Sequence, residues 1–166
     1  LFGTTAGFIN NIVTKFGIEV SYVSQTDLSE WRAAVKENTK LLFLETPSNP
    51  LNEVADLEAL SEIAHAAGAL LVVDNSFLSP VGQQPLKHGA DISVQSATKA
   101  IDGHGRVMGG VLSGSEELMT QVAMYCNSCG LAMSPFNAWV LLSGVETLSV
   151  RMEKQFAGAL KIARWL

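Results

Sequence analysis

The chain is predicted to be an α/β protein, a three-layer, mainly parallel sheet with helices on both faces. Two apolar runs, Leu41-Leu42-Phe43-Leu44 and Ala69-Leu70-Leu71-Val72-Val73, show no polar alternation and so read as strands buried on both faces. Between them, Leu57, Leu60, Ile63, Ala64 and Ala67 keep helical spacing. Strand, helix and strand in that order make the right-handed crossover of a parallel sheet.

The elements follow from local signals. Thr4 to Phe16 is predicted as a helix, with Phe8, Ile9, Ile12, Val13 and Phe16 on one face and Gly17 as its stop. Ile18 to Val23 is expected to be a short strand. Asp27 and Glu30 have the spacing of a capping box for a helix that carries Leu28, Trp31 and Val35. After the first apolar run, Glu45-Thr46-Pro47-Ser48-Asn49-Pro50 holds two prolines, which predicts a rigid, exposed loop. Asp56 caps the central helix, Gly68 ends it, and the second apolar run begins at once. Residues 91–95 read as another strand. Past a glycine-rich reversal, Val107 to Leu112 reads as one more. Glu116 to Tyr125, Pro135 to Leu142 and the stretch from Val145 to Leu166 are predicted helices. No linker, repeat or low-complexity segment divides the chain, so a single domain is expected.

Composition narrows the function. With 166 residues, 48% of them hydrophobic, the chain can bury one good core. Eleven Lys and Arg against sixteen Asp and Glu give a net charge of -5, and no basic run tracks a phosphate backbone, so nucleic acid is not an expected partner. No apolar run reaches the roughly 18 residues of a membrane span. The opening Leu-Phe-Gly-Thr-Thr lacks the basic and apolar segments of a signal peptide, and a cytoplasmic, reducing location is expected. Cys126 and Cys129 form a C-x-x-C pair, but no second pair or neighbouring histidine pair accompanies it. No metal site is expected there, and the thiols read as inert.

The stretch from Asp91 to Gly110 carries the chemistry. It places Lys99 beside the hydroxyls of Ser96 and Thr98 and among Gly103, Gly105, Gly109 and Gly110. A lysine becomes a nucleophile at neutral pH through desolvation or by forming a Schiff base with a carbonyl cofactor. Alone, this stretch is also what a surface lysine in a glycine-rich loop looks like. The second apolar run, however, ends in Asp74, and ligands collect beyond the carboxyl ends of such strands.

Three motifs in order, Glu45-Thr46-Pro47-Ser48-Asn49-Pro50, Val72-Val73-Asp74-Asn75-Ser76-Phe77 and Ser96-Ala97-Thr98-Lys99, resemble the Cys/Met-metabolism family of pyridoxal-phosphate enzymes, of fold type I. The resemblance runs from the first residue to the last. It implies that Lys99 carries pyridoxal 5'-phosphate as a Schiff base and is the catalytic proton shuttle. It implies that Asp74 pairs with the pyridine nitrogen, that Ser96 and Thr98 bind the phosphate, that Ser76 packs on the ring and that Asn49 lies near its phenolic oxygen. Phe2-Gly3-Thr4-Thr5 falls where many relatives have a Tyr-Gly-Gly-Thr motif, which implies cofactor contact from Phe2 and Gly3. Phe2 keeps a stacking face and loses the phenol.

Within the family, Phe2, the Gly103-His104-Gly105-Arg106 run and Ser134-Pro135-Phe136-Asn137-Ala138-Trp139 resemble the O-succinylhomoserine sulfhydrylase branch. Arg106 reads equally as a contact for an anionic substrate or as a surface ion pair. The implied reaction is γ-replacement on an O-acylated homoserine, with sulfide, to give homocysteine in methionine biosynthesis. Cystathionine γ-synthase and cystathionine or methionine γ-lyase chemistry are alternatives. So is a non-catalytic piece that only binds cofactor or a sister subunit. A nucleotide-binding domain is disfavoured, because Ile18–Val23 runs into Ser-Gln-Thr-Asp and not into a glycine-rich turn. The family pattern implies that residues 1–166 are part of a large cofactor-binding domain, without an N-terminal arm or a small C-terminal domain. It further implies an amino-acid substrate and a homo-oligomer, a dimer sharing active sites or a tetramer of such dimers.

Overall fold

The computed structural model describes every residue, 1–166. Four strands, β1 (Leu41–Glu45), β2 (Leu70–Asp74), β3 (Ile92–Ser96) and β4 (Gly110–Gly114), form one sheet in the order β1-β2-β3-β4. β1 and β2 are parallel, with Leu41 opposite Leu70 and Glu45 opposite Asp74. The expected α/β sheet is present. Two compact units make up the chain: residues 1–74 with 85–92, and residues 75–84 with 93–166.

The first unit contains α1 (Gly3–Asn11), α2 (Leu28–Ala34) and α3 (Leu57–Ala66). Its core joins Trp31 of α2, Leu57, Leu60, Ile63 and Ala64 of α3, Leu42 and Leu44 of β1, and Leu71 and Val73 of β2. Leu60, Ala64, Leu71 and Val73 lose all their exposure. Fully burying a leucine contributes roughly 1.5–3 kcal/mol, so these strands are held mainly by the α3 packing. Asp56 Oδ1 accepts the Ala59 N–H at 3.1 Å and caps α3 as expected. Asp27 Oδ1 likewise accepts from Ser29 N–H at 2.9 Å, but Glu30 Oε2 reaches back to Ser24 N–H at 2.7 Å, three residues beyond the partner of a capping box.

Three expectations fail here. The helix expected over residues 4–16 stops at Asn11; Ile12, at φ -122°, separates it from a tight turn over Val13–Phe16, and neither buries a residue. Residues 18–23 form no strand, because no neighbouring strand completes their backbone hydrogen bonds. The loop expected to be exposed is largely buried at Thr46 and Ser48. Their hydroxyls accept the N–H groups of Ala55 (3.0 Å) and Glu53 (3.1 Å), so the loop folds back on its own continuation.

The second unit contains α4 (Ser79–Gly82), α5 (Glu116–Cys129), α6 (Pro135–Val145) and α7 (Leu148–Trp165). Ala97, Ile101, Leu141, Leu148 and Met152 form its apolar centre. Ser115 and Ser134 cap α5 and α6 by accepting from Leu118 N–H (3.3 Å) and Asn137 N–H (3.1 Å). α5 runs past the expected Tyr125 to include both cysteines, which are free. β4 starts at Gly110 and not at Val107, because Gly109 is engaged by the side chain of Thr98 before the ladder begins. The long helix expected from Val145 begins at Leu148, after a break over residues 146–147. No helix of the chain is long and apolar enough to cross a membrane.

Candidate active site

In the second unit β3 ends at Ser96 and runs directly into one wide helical turn, Ala97–Ile101. The Asp102 N–H reaches the Ala97 carbonyl at 2.9 Å, five residues back, which widens the turn beyond an α-helix. Lys99 sits at its centre with non-helical backbone (φ -88°, ψ -117°), and its side chain is exposed while Ala97 and Ile101 on either side are buried. The buried pair anchors the turn, and the lysine projects from it.

Two of the residues expected to contact the cofactor are tied into this segment by hydrogen bonds. Ser76 Oγ accepts the Ser96 N–H at 2.7 Å, tying the end of β3 to the segment that follows Asn75. Asn75 is wholly buried; its N–H donates to Val94 O at 2.8 Å and its Nδ2 to Ser79 O (3.0 Å) and Gln83 O (2.8 Å). Thr98 Oγ1 accepts from the Gly109 N–H at 3.0 Å and donates to the Gly109 carbonyl at 3.3 Å. A hydroxyl has one proton to give, so phosphate binding by Thr98 would redirect it from that long bond.

After the turn, Asp102 organises the glycine-rich loop. Its Oδ2 accepts the Arg106 N–H at 2.6 Å and its Oδ1 accepts Arg106 Nε at 2.8 Å, while Arg106 Nη2 donates to Val140 O at 3.3 Å. The Arg106 backbone N–H holds the Asp102 carboxyl below its ordinary range against the opposing effect of burial, and the Arg106 side chain lowers it further. Arg106 therefore pairs with a carboxylate, as one of its two expected readings had it. The carboxylate is a buried one and not a surface one. Gly144 of α6 lies against this segment: a Cβ there would overlap the carbonyl oxygen of Ile101.

In the first unit Asp74 ends β2, with Glu45 as its register neighbour at the end of β1. Side chains at paired parallel positions project to the same face, here the face opposite Leu44 and Val73. Glu45 is buried, and its Oε2 has no hydrogen-bond partner. The Glu45 carboxylate at the end of β1 thus keeps acceptor capacity. Asn49 is partly buried in the loop after β1, while Phe2 and Gly3 are exposed at the start of α1.

Within the second unit, a primary amine on a turn that also carries hydroxyls at Ser96 and Thr98 is the kind of group set that an aldehyde and a phosphate require. The Cys/Met metabolism PLP-dependent enzyme model matches residues 1–166. The chain belongs to this family. It is 53% identical over its whole length to O-succinylhomoserine sulfhydrylase of Pseudomonas aeruginosa, covering 41% of that protein. It is 44% identical to the chloroplastic cystathionine beta-lyase of Arabidopsis thaliana, covering 36% of it. Among solved structures it superposes with a TM-score of 0.95 on cystathionine gamma-lyase from Lactobacillus plantarum, crystallised with L-serine. That match is 34% identical and covers 98% of this chain and 43% of the other. The chain thus spans about two-fifths of the length of the curated relatives it matches. This Cys/Met metabolism chain is of a pyridoxal-phosphate-dependent kind, and its donor set fits that cofactor.

Of the residues expected at the site, Lys99, Ser96, Thr98 and Ser76 lie in the second unit, while Asp74, Asn49, Phe2 and Gly3 lie in the first, Asp74 at the end of β2 and Asn49 in the loop after β1. Sequence reading missed Asp102, Gly144 and Arg151. The Asp-Gly-x-Gly spacing of residues 102–105 was a usable sign of a side-chain-capped turn. Gly144 and Arg151 carry no such sign, since their partners are carbonyls far away in sequence.

Proposed function

We propose that the protein carrying this chain is a transferase that replaces the γ-substituent of an O-acylated homoserine, O-succinylhomoserine in particular, with sulfide, giving homocysteine. The observation that carries the reading is the exposed Lys99 on a wide turn pinned by buried neighbours, in a chain 53% identical to an O-succinylhomoserine sulfhydrylase. Lys99 would hold pyridoxal phosphate, with Ser96 and Thr98 toward its phosphate, Asp74 toward its ring nitrogen, Asn49 toward its phenolic oxygen, and Ser76, Phe2 and Gly3 against its ring. Bound there, the cofactor supplies an electron sink for charge developing at the substrate α-carbon.

The chain's own part is proton handling and positioning. Lys99 Nζ would take the α-proton and then a β-proton, and would return one proton to each carbon once the new bond at the γ-carbon has formed. The γ-carbon to oxygen bond breaks, the acyl group leaves as a carboxylate, and sulfide forms the new carbon–sulfur bond. An Asp74 carboxylate would pair with the ring nitrogen and favour its protonated form. Phe2 offers a ring face without an acidic hydroxyl, so no proton transfer falls to it.

A homo-oligomer with shared active sites, in the cytoplasm, completes the reading. In it residues 1–166 form part of a large cofactor-binding domain and are inactive alone; turnover by this stretch in isolation would overturn that last point. The identities with cystathionine lyases support a second reading, elimination in place of replacement. Supplying the full-length protein with O-succinylhomoserine and either sulfide or cysteine decides between them. Homocysteine formed with sulfide supports the sulfhydrylase, cystathionine formed with cysteine supports a γ-synthase, and cleavage of cystathionine alone supports a lyase.

A further inference from the structure

Arg151, in the first turn of α7, reaches across to the lysine segment. Its Nη1 donates to Ala100 O at 2.7 Å, and its Nη2 donates to Ile101 O at 3.3 Å and to Gly144 O at 2.6 Å. Its Nε donates to Thr147 Oγ1 at 3.0 Å, which fixes the plane of the guanidinium. Two of the three carbonyls belong to the residues directly after Lys99. The wide turn ends at Ile101, so these carbonyls lie in its last stretch, where a helix lacks following N–H groups. The arginine supplies the missing donors.

Two glycines keep the space for this clasp. A Cβ on Gly103 would overlap Arg151 Nη1, and one on Gly144 would overlap the Ile101 carbonyl that Nη2 holds. Met152, the next residue, is buried in the cluster that contains Ala97 and Ile101. α7 therefore grips the lysine turn twice, once by apolar contact and once by a charged fork. A planar guanidinium can meet several carbonyls at fixed angles, which an ammonium cannot.

We propose that Arg151 is the positioning residue of Lys99: by clamping the carbonyls of Ala100 and Ile101 to α6 and α7 it sets where the lysine amine stands. The proposal rests on the reading that Lys99 carries the cofactor. The test uses the full-length protein with Arg151→Lys, Arg151→Gln and the milder Thr147→Val. Two sets of measurements are made. The first is the affinity for pyridoxal phosphate, from the visible absorption band, with kcat and KM at saturating cofactor. The second, on cofactor-free protein, is the rate of Lys99 labelling by formaldehyde and borohydride, mapped by peptide mass and referred to the exposed Lys87.

Both Arg151 variants are expected to bind the cofactor about tenfold more weakly and to lose about tenfold in kcat, with KM little changed, as befits the loss of charge-assisted bonds. The relative labelling of Lys99 changes several-fold, and lysine at position 151 does not rescue. Thr147→Val shifts all three quantities in the same direction by less, and it decides the matter if the arginine variants do not fold. Unchanged affinity, kcat and labelling in a folded variant overturn the proposal. So does a fall in the unfolding midpoint alone. If the wild type shows no visible band, the cofactor reading fails, and the labelling rate still judges the clasp.

Discussion

In the first unit twelve buried apolar residues, from Trp31 to Ala90, pack around β1, β2 and α3, whereas the second unit, which holds Lys99, has a cluster of five. α5 buries no residue at all. Around its small cluster the second unit ties the lysine segment down with side chains aimed at backbone: Asn75 at the carbonyls of Ser79 and Gln83, Arg151 at those of Ala100, Ile101 and Gly144, and Asp102 at the N–H of Arg106. The difference teaches how the turn that carries Lys99 is held. Apolar packing is non-directional and needs side chains pointing inward, while Lys99 must point outward. Hydrogen bonds to the main chain fix a turn without using its side chains.

Substitutions in the full-length protein can break that contrast. The largest effect belongs to Lys99→Ala, expected to lower turnover by on the order of 10²–10⁴-fold and to remove the visible cofactor band, with little change in the unfolding midpoint of the cofactor-free protein. A large loss of stability in that form would show that the lysine packs as well as reacts. Leu71→Ala, in the apolar unit, should cost about 2–5 kcal/mol in denaturant unfolding and leave the cofactor band of the remaining folded protein in place. If the band moved with it, the two kinds of support would not be separable.

Gly144→Ala sharpens the comparison from the polar side. Its methyl meets backbone carbonyls that cannot rotate away, so a destabilisation of about 1–3 kcal/mol is expected, together with weaker cofactor binding. Asp102→Asn should act more gently and show its sign with pH. The native carboxyl titrates below its ordinary value of 3.8, so its stabilisation is complete above that value and is lost as pH falls through the lower native one. Unfolding midpoints measured between neutral and acid pH should therefore fall less steeply in Asp102→Asn than in the wild type; parallel curves would remove the carboxylate from the account. At the small end, Glu19→Ala breaks only the exposed 3.1 Å pair with Lys36, and a change under about 0.5 kcal/mol is expected.

Much of the apolar unit was legible from residues alone. Runs such as 41–44 and 69–73, the helical spacing from Leu57 and the cap at Asp56 are local patterns with local causes. The strand expected at 18–23 was not, because a strand exists only with a neighbour to complete its ladder. The start of β4 shifted because Thr98, eleven residues earlier, takes both polar groups of Gly109. The site was half legible: Lys99, Asp74, Ser96, Thr98, Ser76 and Asn49 lie in short motifs that resemble the family, while Arg151 on an amphipathic helix looks like any solvent-facing cation.

By itself the sequence determined the α/β class, the buried strands along the chain and the motif in which Lys99 lies, since hydrophobic periodicity, caps and contiguous motifs act over a few residues. Only the tertiary structure decided that Arg106 also reaches the Val140 carbonyl, that Gly144 admits the carbonyls of the lysine turn, and that Arg151 holds them. Those contacts join residues as far as 51 positions apart to main-chain oxygens. Every residue offers the same main-chain oxygen whatever its side chain, so no pattern of residue types could have marked which ones would be met.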